Sequence, residues 1–153
     1  MKVPGSLSAR TRIEPSGLVW VPRLARYVMV SDDTGHEGNS EDASWLMTMD
    51  TKGRLDRVPM ALVGLDSVKD LEGIASGPGQ ALYIISSQSH SKKGKRPKVR
   101  EHFIRLSPEG TGFRANGVVP FAELIDGLPE ASRQALGIND TSELDIEGLC
   151  AHE

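Results

Sequence analysis

The sequence predicts an all-β, propeller-like fold, and two kinds of repetition support this prediction. The first is a short tag of acidic residues, a glycine and an aliphatic residue. It occurs at residues 70–75 (DLEGIA) and 145–150 (DIEGLC), with a looser copy at residues 13–19 (IEPSGLV). Self-similarity at a spacing of roughly 40–50 residues is typical of propeller blades.

The second repetition lies beyond the tags. Gly17 is followed ten residues later by Tyr27, and Gly73 is followed ten residues later by Tyr83. Each tyrosine lies in an apolar run that is typical of a strand. We therefore expect the first two repeats to have the same register, with the two tyrosines in equivalent positions.

Each of these two repeats contains four short apolar stretches separated by turn residues. Runs of about 4–8 such residues, bounded by Gly, Pro, Asn or Asp, are typical of strands, and four antiparallel strands make one propeller blade. The predicted blades span about residues 13–62 and 70–119, with third strands at 45–49 and 102–106 and fourth strands around 55–60 and 113–119.

Residues 120–138 predict a helical insertion after the second blade. Apolar residues fall at positions i, i+3, i+4 and i+7, which is the spacing of one helix face. Pro129 is suited to begin a second helical segment, and Gly137 follows the last periodic residue. We expect the insertion to lie on the surface and cover a sheet edge. The apolar positions are Phe121, Leu124, Ile125 and Leu128.

The last tag predicts the first strand of a third blade, at about residues 144–153. Propellers close with about 4–8 blades, so two complete units are too few for a ring. We interpret residues 1–153 as a partial propeller domain, a fragment of a larger propeller. The alternative is that copies of the chain assemble, because two blades alone leave strand edges and sheet faces uncovered.

Composition excludes several classes of partner. The 18 basic and 21 acidic residues give a net charge of −3, which is no electrostatic signal for nucleic acid or an anionic membrane. No stretch approaches the ~18 apolar residues of a membrane-spanning helix, and residues 1–11 lack the apolar core of a signal peptide. We expect no nucleic-acid partner, no membrane partner and, by default, a cytoplasmic location.

Several motifs together resemble a bacterial family of uncharacterised propeller domains. They are EPSGL at residues 14–18, DLEG at 70–73 and SHSKKGKR at 89–96, followed by Arg100 and FIRL at 103–106. The chain is more distantly similar to the phytase-like and esterase-like propellers. The resemblance implies a propeller fold for most of the chain. It implies no particular reaction, because the family carries no settled activity.

The tag glutamates are candidate metal ligands. The innermost strand of each blade lines the central channel of a propeller, so we expect Glu14, Glu72 and Glu147 to converge. Carboxylates brought together repel one another unless a cation or a shared proton intervenes, and Ca²⁺ takes about 6–8 oxygen ligands. We therefore predict a calcium site. The alternative is that each glutamate accepts backbone N–H bonds from a neighbouring blade.

Polar residues at the ends of two equivalent strands predict a ligand site on one rim. Asp32 and Asp33 end the second strand of the first blade, and Ser89 ends the corresponding strand of the second. His36 and His90 follow in the adjacent loops. Carboxylate and imidazole groups suit polar-ligand binding or proton transfer. We predict that the two aspartates and Ser89 bind ligand and that His90 is catalytic. The alternative is an ordinary hydrogen-bonding role for His90.

The loop after this rim carries six cations in nine residues, at positions 92–100. Lysines act as point charges, and arginine grips phosphate or carboxylate in a bidentate manner. We predict that Lys92, Lys95, Arg96 and Arg100 bind a small anionic ligand or an ester. The alternative is a solvated hairpin loop. Base stacking is not expected, because the loop lacks aromatic residues.

Two classes of function are consistent with these residues. The first is a metal-assisted hydrolase of phosphate or carboxylic esters, in which Ca²⁺ offsets substrate charge, the cationic loop holds the anion and His90 moves a proton. The second is a non-catalytic propeller that binds a protein or polymer partner on one rim. Dependence on metal would favour the hydrolase over the binding protein.

Overall fold

The computed structural model describes residues 13–32 and 45–151. These residues form mainly strands with two short helices, so the predicted all-β class is confirmed at this level. The strands in this part of the chain are β1 (Pro15–Val21), β2 (Arg26–Ser31), β3 (Trp45–Met49), β4 (Met60–Val63), β5 (Leu71–Ser76), β6 (Leu82–Ser86), β7 (His102–Glu109) and β8 (Gly112–Pro120). The helices are α1 (Phe121–Asp126) and α2 (Glu130–Ala135).

The strands form two four-stranded antiparallel units, as the repeats predict. Strands β1 to β4 make the first unit and β5 to β8 the second, each paired in chain order. The register of both innermost pairs shifts at the tag, between Pro15 and Gly17 in β1 and between Leu71 and Gly73 in β5. A bulge at the same place in both units is independent support for the repeat.

The two units are joined in a way that the repeats did not predict. The outer strand β4 pairs in parallel with β8, through Leu62 opposite Phe113 and Val63 opposite Arg114. The sheet therefore has the order β1-β2-β3-β4-β8-β7-β6-β5, and its end strands β1 and β5 pack against each other without hydrogen-bonded pairing. The sheet does not close within the described residues, so the propeller itself stays a prediction.

The main core lies between the two units. Inward residues of both units contribute to one cluster of buried side chains, as alternation along each strand requires. A smaller cluster of Met29, Met47 and Leu55 lies on the other face of the first unit. The main cluster contains Val21, Val28, Val30, Leu46, Leu62, Val68, Leu71, Ile74, Leu82, Ile84, Ile104, Leu106 and Phe113.

Successive tags pack on one another in the same manner. A Cβ on Gly17 would lie 3.0 Å from Ile74 Cγ2, and a Cβ on Gly73 would lie 2.6 Å from Leu149 Cβ. Ile74 and Leu149 each follow the glycine of their own tag. Gly17 and Gly73 are therefore each the seat for the aliphatic residue of the next tag, and only glycine permits such a close approach.

The third tag docks in this way but forms no strand. Residues 144–151 have no strand pairing among the described residues, and the Ile146 N–H donates to the Ser87 carbonyl at 2.6 Å. Residues 144–151 therefore do not form the predicted first strand of a third blade. In the first two units the tag strand is held by the strand that follows it, and the described chain contains no such strand after residue 144.

The two tyrosines are not equivalent in the pairing, contrary to the predicted register. Tyr27 lies opposite Trp20, three residues after its tag glycine, whereas Tyr83 lies opposite Ala75, two residues after its own. The strand β1 continues one residue further than β5 before its 3-10 turn begins. The hairpins therefore differ in length by one residue.

The helical insertion is confirmed, as two helices of six residues each. Pro129 precedes α2 as its N-terminal cap residue, and Gly137 has a φ of +72° after the last turn. On α1, Ile125 is buried, and the ring of Phe121 lies 5.9 Å from that of Phe103 on β7. The insertion therefore covers part of the second unit. No helix in the described ranges is long and apolar enough to span a membrane.

Replacing Gly73 with alanine should lower the free energy of unfolding by about 1–3 kcal/mol, the usual cost of overpacking. The added methyl would lie 2.6 Å from the Leu149 backbone nitrogen, which cannot move independently of the third tag. Gly112→Ala is the matched control, because its nearest neighbour is the flexible Met60 side chain at 3.7 Å. Urea unfolding measures both, and equal midpoints would contradict the seat at Gly73.

Candidate functional site

Carboxylates converge where the first two tags meet. The Asp32 side chain, at the end of β2, hydrogen-bonds to Asp70 and to Glu14, and Glu72 is close enough to repel it. We call these four acids and the neighbouring Arg100 the tag cluster. The positions of Glu14 and Asp70 are equivalent, because each backbone carbonyl accepts an N–H from the residue after its paired strand, Asp32 at 3.1 Å and Ser87 at 2.8 Å.

Asp70 is the most enclosed member of the tag cluster. Its side chain is 11% exposed, and its Oδ2 lies 2.7 Å from Arg100 Nη1. The hydroxyls of Ser87 and Ser89 donate to the same Oδ2 at 2.8 and 3.2 Å, and Arg100 Nη1 also donates to the Ser89 hydroxyl at 2.9 Å. A buried carboxylate with a paired cation and two hydroxyl donors is well compensated for its loss of water. Asp70 also has a φ of +55°, which aspartate tolerates better than most residues.

Asp32 behaves differently, because the pKa of its carboxyl is raised to about 7. The hydrogen bond with Asp70 is the largest cause, followed by burial and by repulsion from Asp70 and Glu72. Two carboxylates that share a site cannot both ionise easily. At neutral pH Asp32 therefore keeps its proton in a large fraction of molecules.

The third tag extends the acidic surface. Burial raises the pKa of Glu72, and repulsion from Glu147, Asp70 and Asp145 adds to the increase, while a hydrogen bond from Ser16 opposes it. The acidic residues of the third tag are therefore electrostatically coupled to the second.

The three predicted metal ligands are only partly brought together. Glu72 and Glu147 interact electrostatically, but Glu14 reaches Asp32 instead. The bulge aligns Glu72 with Ser16. In the described ranges no three carboxylate, imidazole or thiol groups are arranged to hold a metal ion. Calcium binding at Glu14, Glu72 and Glu147 therefore remains a prediction.

The predicted rim residues do not all lie in the same environment. Asp32 and Ser89 belong to one hydrogen-bonded network through Asp70, as their strand positions predict. His90 follows Ser89 directly and is exposed. Asp33 and His36 lie outside the described residues.

The cations of the loop divide into two groups. Arg100 belongs to the tag cluster, and Arg96 Nη2 donates at 2.8 Å to the carbonyls of Thr141 and Ser142, which fixes the segment after α2. Lys92 and Lys95 are exposed on a tight hairpin. The two arginines therefore have structural contacts, and the lysines are the members of the set open to solvent. Whether the four bind an anion stays a prediction.

Two residues of the site were missed from the sequence. Asp70 and Ser87 were not candidates, because the tags were aligned on their glutamates. Counting back three residues from Gly17 and Gly73 pairs Glu14 with Asp70. That signal was present in the sequence and would have identified Asp70.

The fold and the site together define a mostly β repeat protein with a hydrogen-bonded carboxylate pair beside an arginine. No protein-family model matches this chain, and neither a curated protein nor a solved structure matches it. The family resemblance therefore stays an expectation, and the function is inferred from the geometry of the site.

The free energy of unfolding should depend on pH through Asp32. Its pKa is raised from 3.8 to about 7 on folding, so its contribution is complete below about pH 4 and is lost as the pH rises through 7. Asp32→Asn should therefore gain about 1–2 kcal/mol relative to wild type between about pH 5 and pH 8, discounted for partial exposure.

Wild type and Asp32→Asn must be compared at the same pH, because a second group also contributes to the pH dependence of stability. Burial lowers the pKa of His102, so His102 acts in the opposite sense below about pH 6.5. Asp66→Asn is the control, because Asp66 is exposed. Urea unfolding at several pH values measures the effect, and parallel curves for Asp32→Asn and wild type would contradict the raised pKa of Asp32.

Proposed function

We propose that the tag cluster is the acid–base site of a hydrolase that acts on phosphate or carboxylic esters. The observation that carries this proposal is the contact of Asp32 with Asp70, which raises the pKa of Asp32 to about 7. A carboxyl whose pKa lies near the working pH is suited to donate a proton in a transition state. Perturbed carboxylates of this kind are enriched at functional sites.

In the proposed reaction, water attacks the phosphorus or carbonyl carbon and the ester C–O or P–O bond breaks. Asp32 gives its proton to the departing oxygen, which leaves as an alcohol. His90 is the candidate acceptor of the proton lost by water, because it follows Ser89 at the edge of the same network. Asp70 pairs with Arg100 and accepts hydrogen bonds from Ser87 and Ser89, and so keeps Asp32 in position.

Arg100 is the proposed contact for the anionic oxygen of the substrate. The contacts of Arg100 with Asp70 and Ser89 both use Nη1, so Nε and Nη2 keep their donors among the described residues. The exposed Lys92 and Lys95 on the adjacent hairpin add positive charge. This arrangement suits a monoanionic or dianionic ester better than a neutral one. No step of this mechanism passes through a metal.

The proposal is tested with two anionic alkyl esters as probes, glycerol 2-phosphate and monoethyl succinate, because their leaving alcohols must take up a proton. Asp32→Asn should lower kcat about 10²–10⁴-fold, because the amide cannot give up a proton to the leaving oxygen. His90→Ala should have an effect of the same order if it is the base, whereas Asp66→Asn should keep wild-type activity. Wild-type activity should also decline above about pH 7, as Asp32 loses its proton. An active Asp32→Asn variant would refute the assignment.

The calcium prediction is tested by thermal unfolding. Calcium held by Glu14, Glu72 and Glu147 should raise the melting temperature, and Glu72→Gln should remove most of that increase. Equal melting temperatures in calcium and in chelator would refute the calcium site.

The second candidate is a non-catalytic protein that binds an anionic partner on this rim. The fixed positions of Arg96 and Arg100 favour it, because a rigid cationic surface loses little entropy on binding. If the chain binds inorganic phosphate and hydrolyses neither ester, this candidate replaces the hydrolase. Such binding should weaken as salt rises, since exposed charges are screened over about 8 Å at physiological ionic strength. It should also weaken in Lys92→Ala and Lys95→Ala.

A further inference from the structure

The contact between tags occurs twice within the described chain, each time with the same parts. A glycine in one tag receives the aliphatic residue that follows the glycine of the next tag. Ile74 is 5% exposed in the seat at Gly17, and Leu149 is half-buried in the seat at Gly73. This contact is the one that joins β1 to β5 and attaches the third tag to β5.

Each end of the described chain presents one unmatched half of the same contact. Leu18, which follows Gly17, is the first-tag equivalent of Ile74 and Leu149, and it is 49% exposed. At the other end, a Cβ on Gly148 would have no described atom within 4 Å. The chain therefore has an aliphatic residue without a described seat at one end and an open glycine seat at the other.

The surface around Leu18 suits a buried contact. Trp20, two residues further on the same face of β1, is 38% exposed, and its ring meets that of Tyr27 at a centroid distance of 5.1 Å. The small apolar cluster of Met29, Met47 and Leu55 lies beneath the same face. An exposed tryptophan and leucine beside buried methionines is unusual for a surface that always faces water.

We infer that this face is the docking site for the third tag of a second copy of the chain, with Leu18 of one copy seated on Gly148 of the other. The second copy is the occupant that the structure favours, because it carries the complementary half of a contact already formed twice. The interface would be head to tail, since different surfaces of the two copies meet. Such heterologous contacts build rings when the rotation closes and filaments when it does not.

The inference is tested on the full chain by light scattering during size-exclusion chromatography. Wild type should form species larger than a monomer, increasingly so at higher concentration. Leu18→Asp should be monomeric, because its face can no longer enter an apolar contact. Gly148→Val should also be monomeric, because the added side chain fills the seat. Its fold should be unaffected, since that position is open within the chain. Leu136→Asp, a change at an exposed leucine on the insertion, is the control and should assemble like wild type.

Mixing the two monomeric variants distinguishes a head-to-tail contact from other forms of assembly. Leu18→Asp keeps its Gly148 seat, and Gly148→Val keeps its Leu18 face, so an equimolar mixture should give a dimer and nothing larger. A symmetric contact between identical faces would not be restored by mixing. A wild-type chain that stays monomeric at all concentrations, or a mixture that stays monomeric, would overturn the inference. Circular dichroism and urea unfolding confirm that each variant is folded.

Discussion

Replacing Phe113 with alanine should lower the free energy of unfolding by about 3–5 kcal/mol, the usual cost of removing a buried aromatic side chain. Phe113 is fully buried in the core between the two units. It is also the residue of β8 that lies opposite Leu62 in the parallel contact with β4. Its loss should therefore leave a cavity at the point where the first unit joins the second.

The Phe113 ring also contacts an arginine of the first unit. The guanidinium carbon of Arg23 lies 4.4 Å from the ring centroid, and Arg23 Nη1 donates to the Gly110 carbonyl at 3.1 Å. An arginine over an aromatic face gains a cation–π attraction that alanine cannot supply. The arginine from the first unit is thus held against the β7–β8 turn of the second, and the variant should loosen this connection as well as the core.

Val118→Ala is the matched control for Phe113→Ala. Val118 lies on the same strand but is 40% exposed, so its truncation should cost well under about 1 kcal/mol. Urea unfolding followed by circular dichroism measures both variants. A cost at Phe113 no larger than that at Val118 would show that the contact between β4 and β8 does not contribute to stability.

The sequence was sufficient for the two units but not for the way they are joined. Repeated tags and strand-like runs predicted the antiparallel pairing, because both depend on residues close in the chain. The parallel contact joins only two residues of β4 to two of β8, 51 positions apart in each case. A pairing that short has no periodicity of its own to detect.

The outer strands show why boundaries are harder to predict than elements. The fourth strand of the first unit was expected around residues 55–60, yet β4 begins at Met60. Pro59 lacks the N–H that a ladder needs, and Leu55 keeps only an isolated bridge with Met49. Conversely, the third strand of the second unit is predicted to end at residue 106, but β7 continues to Glu109 and includes Pro108. Pro108 lies beyond Leu106, the last residue of β7 paired with β6, so its missing N–H removes no bond from that pairing.

The site shows a similar division between local and tertiary information. Asp32 and Ser89 were identified from strand ends, and the convergence of tag acids was expected from the repeat. The partner of Asp32 was not identified, because the bulge in each tag strand aligns Glu72 with Ser16 and Asp70 with Glu14. The sequence predicts that Arg100 binds an anionic ligand. Its ion pair with Asp70 was not predicted, because this contact depends on how the long loop folds back on β5 and β6.

The second large effect is expected at Arg100. Arg100→Met should lower the free energy of unfolding by about 2–4 kcal/mol at neutral pH, since breaking a buried ion pair strands the remaining charge. The range is set slightly below that for fully buried pairs, because the two side chains are 20% and 11% exposed. Methionine preserves most of the apolar volume of the arginine stem, so loss of charge dominates the change.

The loss in Arg100→Met should itself depend on pH, and this separates an electrostatic role from simple packing. As the pH falls from about 8 to about 5, a proton can replace the guanidinium as the counter-charge of the Asp32–Asp70 pair, so the cost should shrink. The double variant Asp70→Asn/Arg100→Met should recover part of the loss at high pH, because the carboxylate that paired with Arg100 is then also removed. Arg105→Met is the control, because Arg105 is exposed on β7 with only a 3.5 Å contact to Asn116, and it should cost about 0.5 kcal/mol or less. Urea unfolding of the four proteins at both pH values measures these terms. A cost at Arg100 that is equal at both pH values and unrelieved by Asp70→Asn would mean that the arginine acts through packing alone.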